Sequence, residues 1–322
     1  MSAAPPSCLL VFPKTFYSFA RVLAGELERR GYVVVTANEE YPENMLGKIL
    51  GKLGLLRLLS WLTQRGIERR FLQGPPYKLV VIVKGRGMGR RLLERLRRDG
   101  SRVVAYNFDS FGYHPAPLDW YQHVDRYTTF DYADAERYEL PRVDLFSSLP
   151  EFTAPKQVRY DVSAILRNHS DRLAYVDSIL RVLQPQRVFL FIFEQNVFTF
   201  AFNLLRSPRL YVRYWGSISF QPLPYADYAD VLRSSEYTID YAHPKQTGIT
   251  IRCFESLGAQ TKVITNNPHI TRNPAFAAAL SIVYRPGEGA VALRRGYVEC
   301  RGRVPPAWVR SVTDFMDELL GG

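Results

Sequence analysis

Apolar runs and helix-spaced apolar positions alternate along the chain. Cys8 to Pro13 reads as a buried strand. Phe19, Val22, Leu23 and Leu27 then recur at helical spacing between Tyr17 and Gly31, and Val33 to Thr36 forms the next β-branched run. This β-α-β opening predicts an α/β fold. The pattern continues with an interrupted amphipathic helix over 45–72 and a fully apolar strand from Lys78 to Lys84. A basic helix is expected from Arg90 to Arg98 and a strand from Arg102 to Phe108. Short strands at Val124 to Phe130 and Val143 to Phe146 flank a helix at Ala133 to Tyr138. Residues 149–156 hold two prolines and no periodicity, which marks a linker.

A second series of the same kind follows. Strands are expected at Tyr160 to Leu166, Arg187 to Phe193 and Tyr237 to Tyr241. Helices are expected from 172 to Leu183, from Val197 to Leu205 and from Tyr225 to Ser234, with Ile218, Ser219 and Pro222 to Pro224 in loop. Beyond these come a strand at Lys262 to Thr265, a helix near Pro274 to Leu280 and a strand at Ser281 to Tyr284. A last helix is expected within Val304 to Leu320, where Trp308, Val312, Phe315, Met316 and Leu319 share helical spacing. The chain therefore reads as two Rossmann-like domains, 1–152 and 153–322, with the last helix packing back on the first.

Composition narrows the classes. Hydrophobic residues make up 47% of 322, enough for real cores. Aromatic residues make up 13%, which suits flat ligands such as sugars but also ordinary packing. Cys8, Cys253 and Cys300 are far apart and form no C-x-x-C pair, so neither a disulfide framework nor a metal site is expected. With no leader-like segment and no long apolar run, a cytoplasmic protein is expected. The net charge of +11 is concentrated: residues 48–102 hold 15 Lys and Arg against three acids. Such a region implies an anionic partner or a solvated arginine-rich helix face. Lys48, Lys52, Arg57 and Trp61 fit an interfacial helix on an anionic membrane, although Gly47, Gly51 and Gly54 weaken a free helix there.

The chemistry concentrates in His243-Pro244-Lys245-Gln246-Thr247-Gly248, followed by Ile249 to Ala259 and the strand from Lys262. A polar loop leading into a helix presents backbone N–H groups to an anion. Arg252 can fork onto a phosphate, and Glu255 lies one turn further on the same face, where it can accept from sugar hydroxyls. The same loop-helix-strand also occurs in any α/β domain, where such a Glu is simply solvated. The segment resembles the donor-binding motif of bacterial GT-B glycosyltransferases of capsule and lipopolysaccharide biosynthesis. That resemblance implies two Rossmann-like domains facing a central cleft, acceptor side first and donor side second. It implies an activated sugar donor, most simply a nucleotide sugar, a surface polysaccharide or lipid-linked glycan acceptor, and no cofactor.

Further candidates follow from position. His169 and Arg172 lie in the polar loop after the first strand of the second half, and Arg172 suits donor phosphates; Ser170 or Asp171 is a simple cap there. His243, Lys245, Gln246, Thr247 and Gly248 complete the donor loop, with Lys245 placed to neutralise a leaving group. Asp109 ends a strand of the first half and suits a general base, or only an Asx turn. The expected catalytic set is Asp109, His243 and Glu255. Residues 85–89 are glycine-rich but lack a P-loop pattern. Two rivals stand beside the transferase: a nucleic-acid-binding protein using the basic region, for which no motif exists, and a non-catalytic sugar-nucleotide binder.

Overall fold

The computed structural model describes residues 5–13, 17–39, 50, 55–149, 152, 153, 155–168 and 170–322. The chain forms two compact units. The first comprises residues 1–148, 244–248 and 310–322; the second comprises 149–243 and 249–309. Each is built on its own parallel sheet with helical crossovers, so the α/β expectation holds in both.

In the first unit the sheet order is β2-β1-β3-β4-β5. Its strands are β1 (Ser7–Phe12), β2 (Val33–Asn38), β3 (Leu79–Val83), β4 (Arg102–Asn107) and β5 (Arg126–Thr129). The central strands carry apolar side chains on both faces because helices cover both, as a parallel sheet requires. The helices are α1 (Tyr17–Arg29), α2 (Leu56–Phe71), α3 (Arg90–Arg98) and α4 (Tyr132–Tyr138). Leu92, Leu93 and Leu96 bury one face of α3, and its arginines occupy the other. Several of those charges are already answered: Arg90 by Glu94 at 2.6 Å, Arg97 by Asp125 at 2.9 Å and Arg95 by Asp99 at 3.6 Å.

The second unit has the order β11-β10-β9-β6-β7-β8. Its strands are β6 (Tyr160–Arg167), β7 (Val188–Phe193), β8 (Ile218–Ser219), β9 (Ser235–Asp240), β10 (Lys262–Thr265) and β11 (Ile282–Val283). Its helices are α5 (Arg172–Leu183), α6 (Val197–Arg206), α7 (Pro208–Arg213), α8 (Tyr225–Arg233), α9 (Ile251–Gly258), α10 (Pro274–Ala278) and α11 (Ala290–Glu299). This order is that of a doubly wound sheet whose direction of winding reverses between β6 and β9.

Several expectations change. Val143 to Phe146 is not a strand: only Arg142 bridges to Thr129, and the chain then leaves the sheet to bury Phe146 against Phe315 at 5.0 Å. Ile218-Ser219 is an edge strand rather than loop, because it pairs with the end of β7. The last helix is shorter than expected. It is α12 (Val312–Leu320), started by a capping box of Ser311 and Asp314; Pro305 and Pro306 hold the preceding segment out of helix.

Candidate functional site

Doubly wound sheets bind ligands outside the carboxyl ends of the strands where the winding reverses. In the second unit that point is the end of β6, at Arg167 and Asn168, and the end of β9, at Asp240 and Tyr241. Arg172 opens α5 there, half-buried. His243 follows β9, also half-buried, whereas His169 lies outside the described residues. Asn168 donates to the Tyr211 hydroxyl at 2.5 Å, and the buried Glu194 carboxylate accepts from Asn203 at 3.2 Å.

The N-terminus of helix α9 lies beside the end of β9. Thr250 is its N-cap, but the Thr250 hydroxyl donates to Asp240 Oδ1 at 2.7 Å and leaves the first turn without a side-chain cap. The helix N-terminus therefore keeps its positive end for another acceptor. Arg252, in that first turn, lies 4.0 Å from Asp240, and its buried Nε has no hydrogen-bond partner among the described residues. Burial opposes the Arg252 charge, but Tyr228, Asp240 and Glu255 outweigh it and raise its pKa. An orphaned guanidinium N–H beside uncapped amides is chemistry suited to a phosphate.

Glu255 is more enclosed than its helix position suggests. It is 5% exposed and accepts from Tyr228 at 2.5 Å and Tyr225 at 3.1 Å. Burial raises its pKa, and the two tyrosine hydroxyls and Arg252 counter that shift. Tyr225 stacks on Tyr228 at 5.8 Å and keeps its own ring 45% exposed, which leaves a flat aromatic surface beside the carboxylate. Sequence reasoning missed this pair, although Tyr225 and Tyr228 stand three apart on α8 and share a face. It also missed Asp240, the carboxylate that holds Thr250.

Residues 244–248 belong to the first unit. Asp131 accepts there from Thr247 N at 2.6 Å, Thr247 Oγ1 at 2.7 Å and Gly248 N at 3.2 Å. Gln246 donates to Asp109 Oδ1 at 2.9 Å, and Ser110 donates to the Lys245 carbonyl at 2.5 Å. The structure thus brings Arg172, His243, Arg252 and Glu255 into the second unit, and Lys245, Gln246, Thr247, Gly248 and Asp109 into the first.

Asp109 lies two residues beyond β4, ion-paired with Lys84 at 3.1 Å. Lys84 itself has φ 71°, a strained left-handed conformation at the end of β3. Buried His114 belongs to this cluster: burial first, then the Lys84 charge, lowers its pKa to about 4, so the imidazole is neutral at pH 7. Its Nε2 has no partner among the described residues. The glycine-rich 85–89 turn is packed shut. A Cβ on Gly85 would fall 2.3 Å from Trp120, and Arg86 N donates to Glu39 at 2.6 Å. Arg57 and Trp61 are exposed on α2; Lys48 and Lys52 lie outside the described residues. A surface hollow of about 720 Å³, lined by Glu94, Arg98, Arg102 and Asp125 among others, sits where β4 begins, away from the strand ends that bind ligands.

No family model and no curated protein matches the chain by sequence. Solved structures do match along nearly its whole length. A glycosyltransferase involved in avilamycin A biosynthesis, AviGT4, is 13% identical over 99% of both chains with a TM-score of 0.59. The UDP-GlcNAc 2-epimerase of Methanocaldococcus jannaschii, solved with UDP-GlcNAc and UDP, is 12% identical over 98% of both chains with a TM-score of 0.56. The lipopolysaccharide outer core galactosyltransferase WaaB is 10% identical over 98% of this chain and 99% of its own, with a TM-score of 0.54. The fold is therefore the one these glycosyltransferases and epimerases share: two parallel-sheet α/β domains of GT-B type.

Proposed function

We propose that the chain is a glycosyltransferase that moves a sugar from a nucleotide-sugar donor to a surface polysaccharide or lipid-linked glycan acceptor. The observation that carries it is Arg252, with its orphaned Nε beside the uncapped first turn of α9, at the ligand-binding edge of the sheet. In this reading Arg252 and the α9 amides hold the diphosphate, with Arg172 and His243 around it. Glu255, held by two tyrosines, orients the ribose or the sugar. Asp109 serves as base toward the acceptor hydroxyl. Support also comes from neighbours solved with UDP-glucose or with UDP-GlcNAc. Action at the inner face of the cytoplasmic membrane fits a lipid-linked acceptor; no helix among the described residues is long and apolar enough to cross one.

The test is incubation with UDP-glucose, UDP-galactose and UDP-GlcNAc, with and without glycan acceptor, following UDP release and labelled product. Transfer or slow donor hydrolysis, lost in Arg252→Ala, is expected. Protein that neither binds nor consumes any nucleotide sugar sinks the proposal. A second reading, epimerisation, has the full-length match to a 2-epimerase in its favour. Inversion at C2 of UDP-GlcNAc without acceptor, seen by NMR, would select it.

A further inference from the structure

In the second unit, the segment from Gln195 to Pro224 contains no Asp or Glu and three arginines, Arg206, Arg209 and Arg213. It also carries the two most exposed large apolar side chains among the described residues. Phe198 is 87% exposed, Leu205 83% and Phe202 66%. These stand at i, i+4 and i+7 on α6 and make one continuous face, which Val197 widens. Val212, on α7, and Trp215, just beyond it, are also more than half exposed. The inner side of the same segment is equally apolar: Phe200 packs against Tyr211, Trp215 and Phe220 at 5.5 to 5.7 Å. A solvated helix carries charge on its outer face; this one carries phenylalanine and leucine. An exposed apolar face of this extent marks a contact surface.

The charges around the face select its occupant. Arg206 is held by Asp171 at 3.2 Å and Arg213 by Asp177 at 2.7 Å, both acids from α5 or the turn before it. Arg209, exposed, stands between Leu205 and Val212 in sequence. A two-fold pairing of the face would bring no acid of this segment against the exposed Arg209. An anionic phospholipid surface meets Arg209 favourably, takes the phenyl and leucyl groups into the acyl boundary, and seats Trp215 at headgroup level. The helix is 10 residues long, about 15 Å, far too short to span a bilayer, so it lies in the interface plane. We propose that α6 and the segment through Trp215 form an interfacial site that docks the second unit on an anionic bilayer. The site shares no residue with Lys48, Lys52, Arg57 and Trp61, and does not depend on the transfer reaction.

The test uses the full chain and vesicles, without donor or acceptor. At near-physiological salt the protein is expected to float with phosphatidylcholine vesicles containing phosphatidylglycerol at least tenfold more than with pure phosphatidylcholine. The variant Phe198→Ser/Phe202→Ser/Leu205→Ser, at exposed positions, is expected to keep its melting temperature and lose flotation at least tenfold. Arg57→Gln/Trp61→Ala is expected to float as wild type does. Vesicles should blue-shift tryptophan emission in the wild type and not in Trp215→Phe, a readout that stands even if the triple variant unfolds. Wild type that stays in the buffer, a folded triple variant that still floats, or an unchanged emission shift in Trp215→Phe would each overturn the site. So would a wild-type dimer in light scattering that the triple substitution converts to monomer, because a second copy would then cover the face.

Discussion

His114 is buried near Lys84 and Asp109 with a pKa lowered from 6.5 to about 4 by burial and then by the Lys84 charge. For a depressed histidine the unfolded chain binds more protons between the two pKa values. Its stabilising effect is therefore full above about pH 6.5 and fades as pH falls toward 4, in total about 3 kcal/mol. Asp134 runs the other way: burial raises it from 3.8 to about 6, so its contribution is lost as pH rises through 6. The wild-type curve alone mixes the two. The melting-temperature difference between wild type and His114→Gln isolates the histidine, and it should grow from pH 4.5 to pH 7. A pH-independent difference would remove the buried neutral imidazole. At the other cluster, Arg252→Ala should weaken UDP binding by one to two powers of ten in calorimetry, the roughly 1.5–3 kcal/mol of a charge-assisted bond. Arg252→Lys should recover only part of it, since an ammonium cannot fork. Unchanged affinity in both variants would move the phosphate elsewhere. Arg252 and Glu255 were legible because their spacing is local. His114 was not, because a lone histidine in a proline-rich loop has no pattern; only burial near Lys84 and Asp109 gives it chemistry.

Among elements, the 244–248 loop shows most clearly what local pattern conceals. Its glycine and polar residues read as a ligand cradle, yet Asp131 takes three of its donors and also caps α4 by accepting from Asp134 N at 3.1 Å. The partners stand 116 or 117 residues apart, so no spacing could reveal them. Gly248 is required there for space rather than for φ: an added Cβ would lie 2.3 Å from the Phe130 ring. Gly248→Ala should cost about 1–3 kcal/mol by overpacking, and Asp131→Ala at least as much by stranding buried donors. Denaturant midpoints measure both, and wild-type midpoints would mean that the loop does not dock. Strands β1, β3 and β4 were legible nearly residue by residue, since each is a continuous apolar run bounded by charge or turns. Helices α7 and α11 were missed for opposite reasons. Pro208 reads as a breaker but sits at the helix start, where its fixed φ is favourable. Gly296 in the middle of α11 dilutes a weak pattern, and Leu293 and Tyr297 alone anchor it in the core.

At the scale of the molecule, two Rossmann-like sheets were legible from the repeated strand-helix alternation, and the last helix was expected against the first; that residues 244–248 belong to the first unit was not legible. The return of residues 310–322 to the first unit rests on contacts such as Arg30 Nη2 to the Thr313 carbonyl at 3.1 Å, separated by 283 residues. The sheet orders follow from hydrogen bonding that sequence does not encode locally, and they decide where a ligand sits. If nucleotide binds where the winding reverses between β6 and β9, its protection has a defined address. Hydrogen exchange with UDP present should slow in peptides covering 160–172, 235–243 and 249–258. Those covering β1, β3 and β4 should exchange as in the free protein. At a ligand concentration 100 times Kd, binding adds about 2.7 kcal/mol to the stability of the unit that holds the site. Amides there that exchange through unfolding of the unit should slow by about a hundredfold. Protection centred on 79–90 and 102–114 would instead place the nucleotide in the first unit, beside Lys84 and Asp109, and would exchange the donor and acceptor assignments of the two halves.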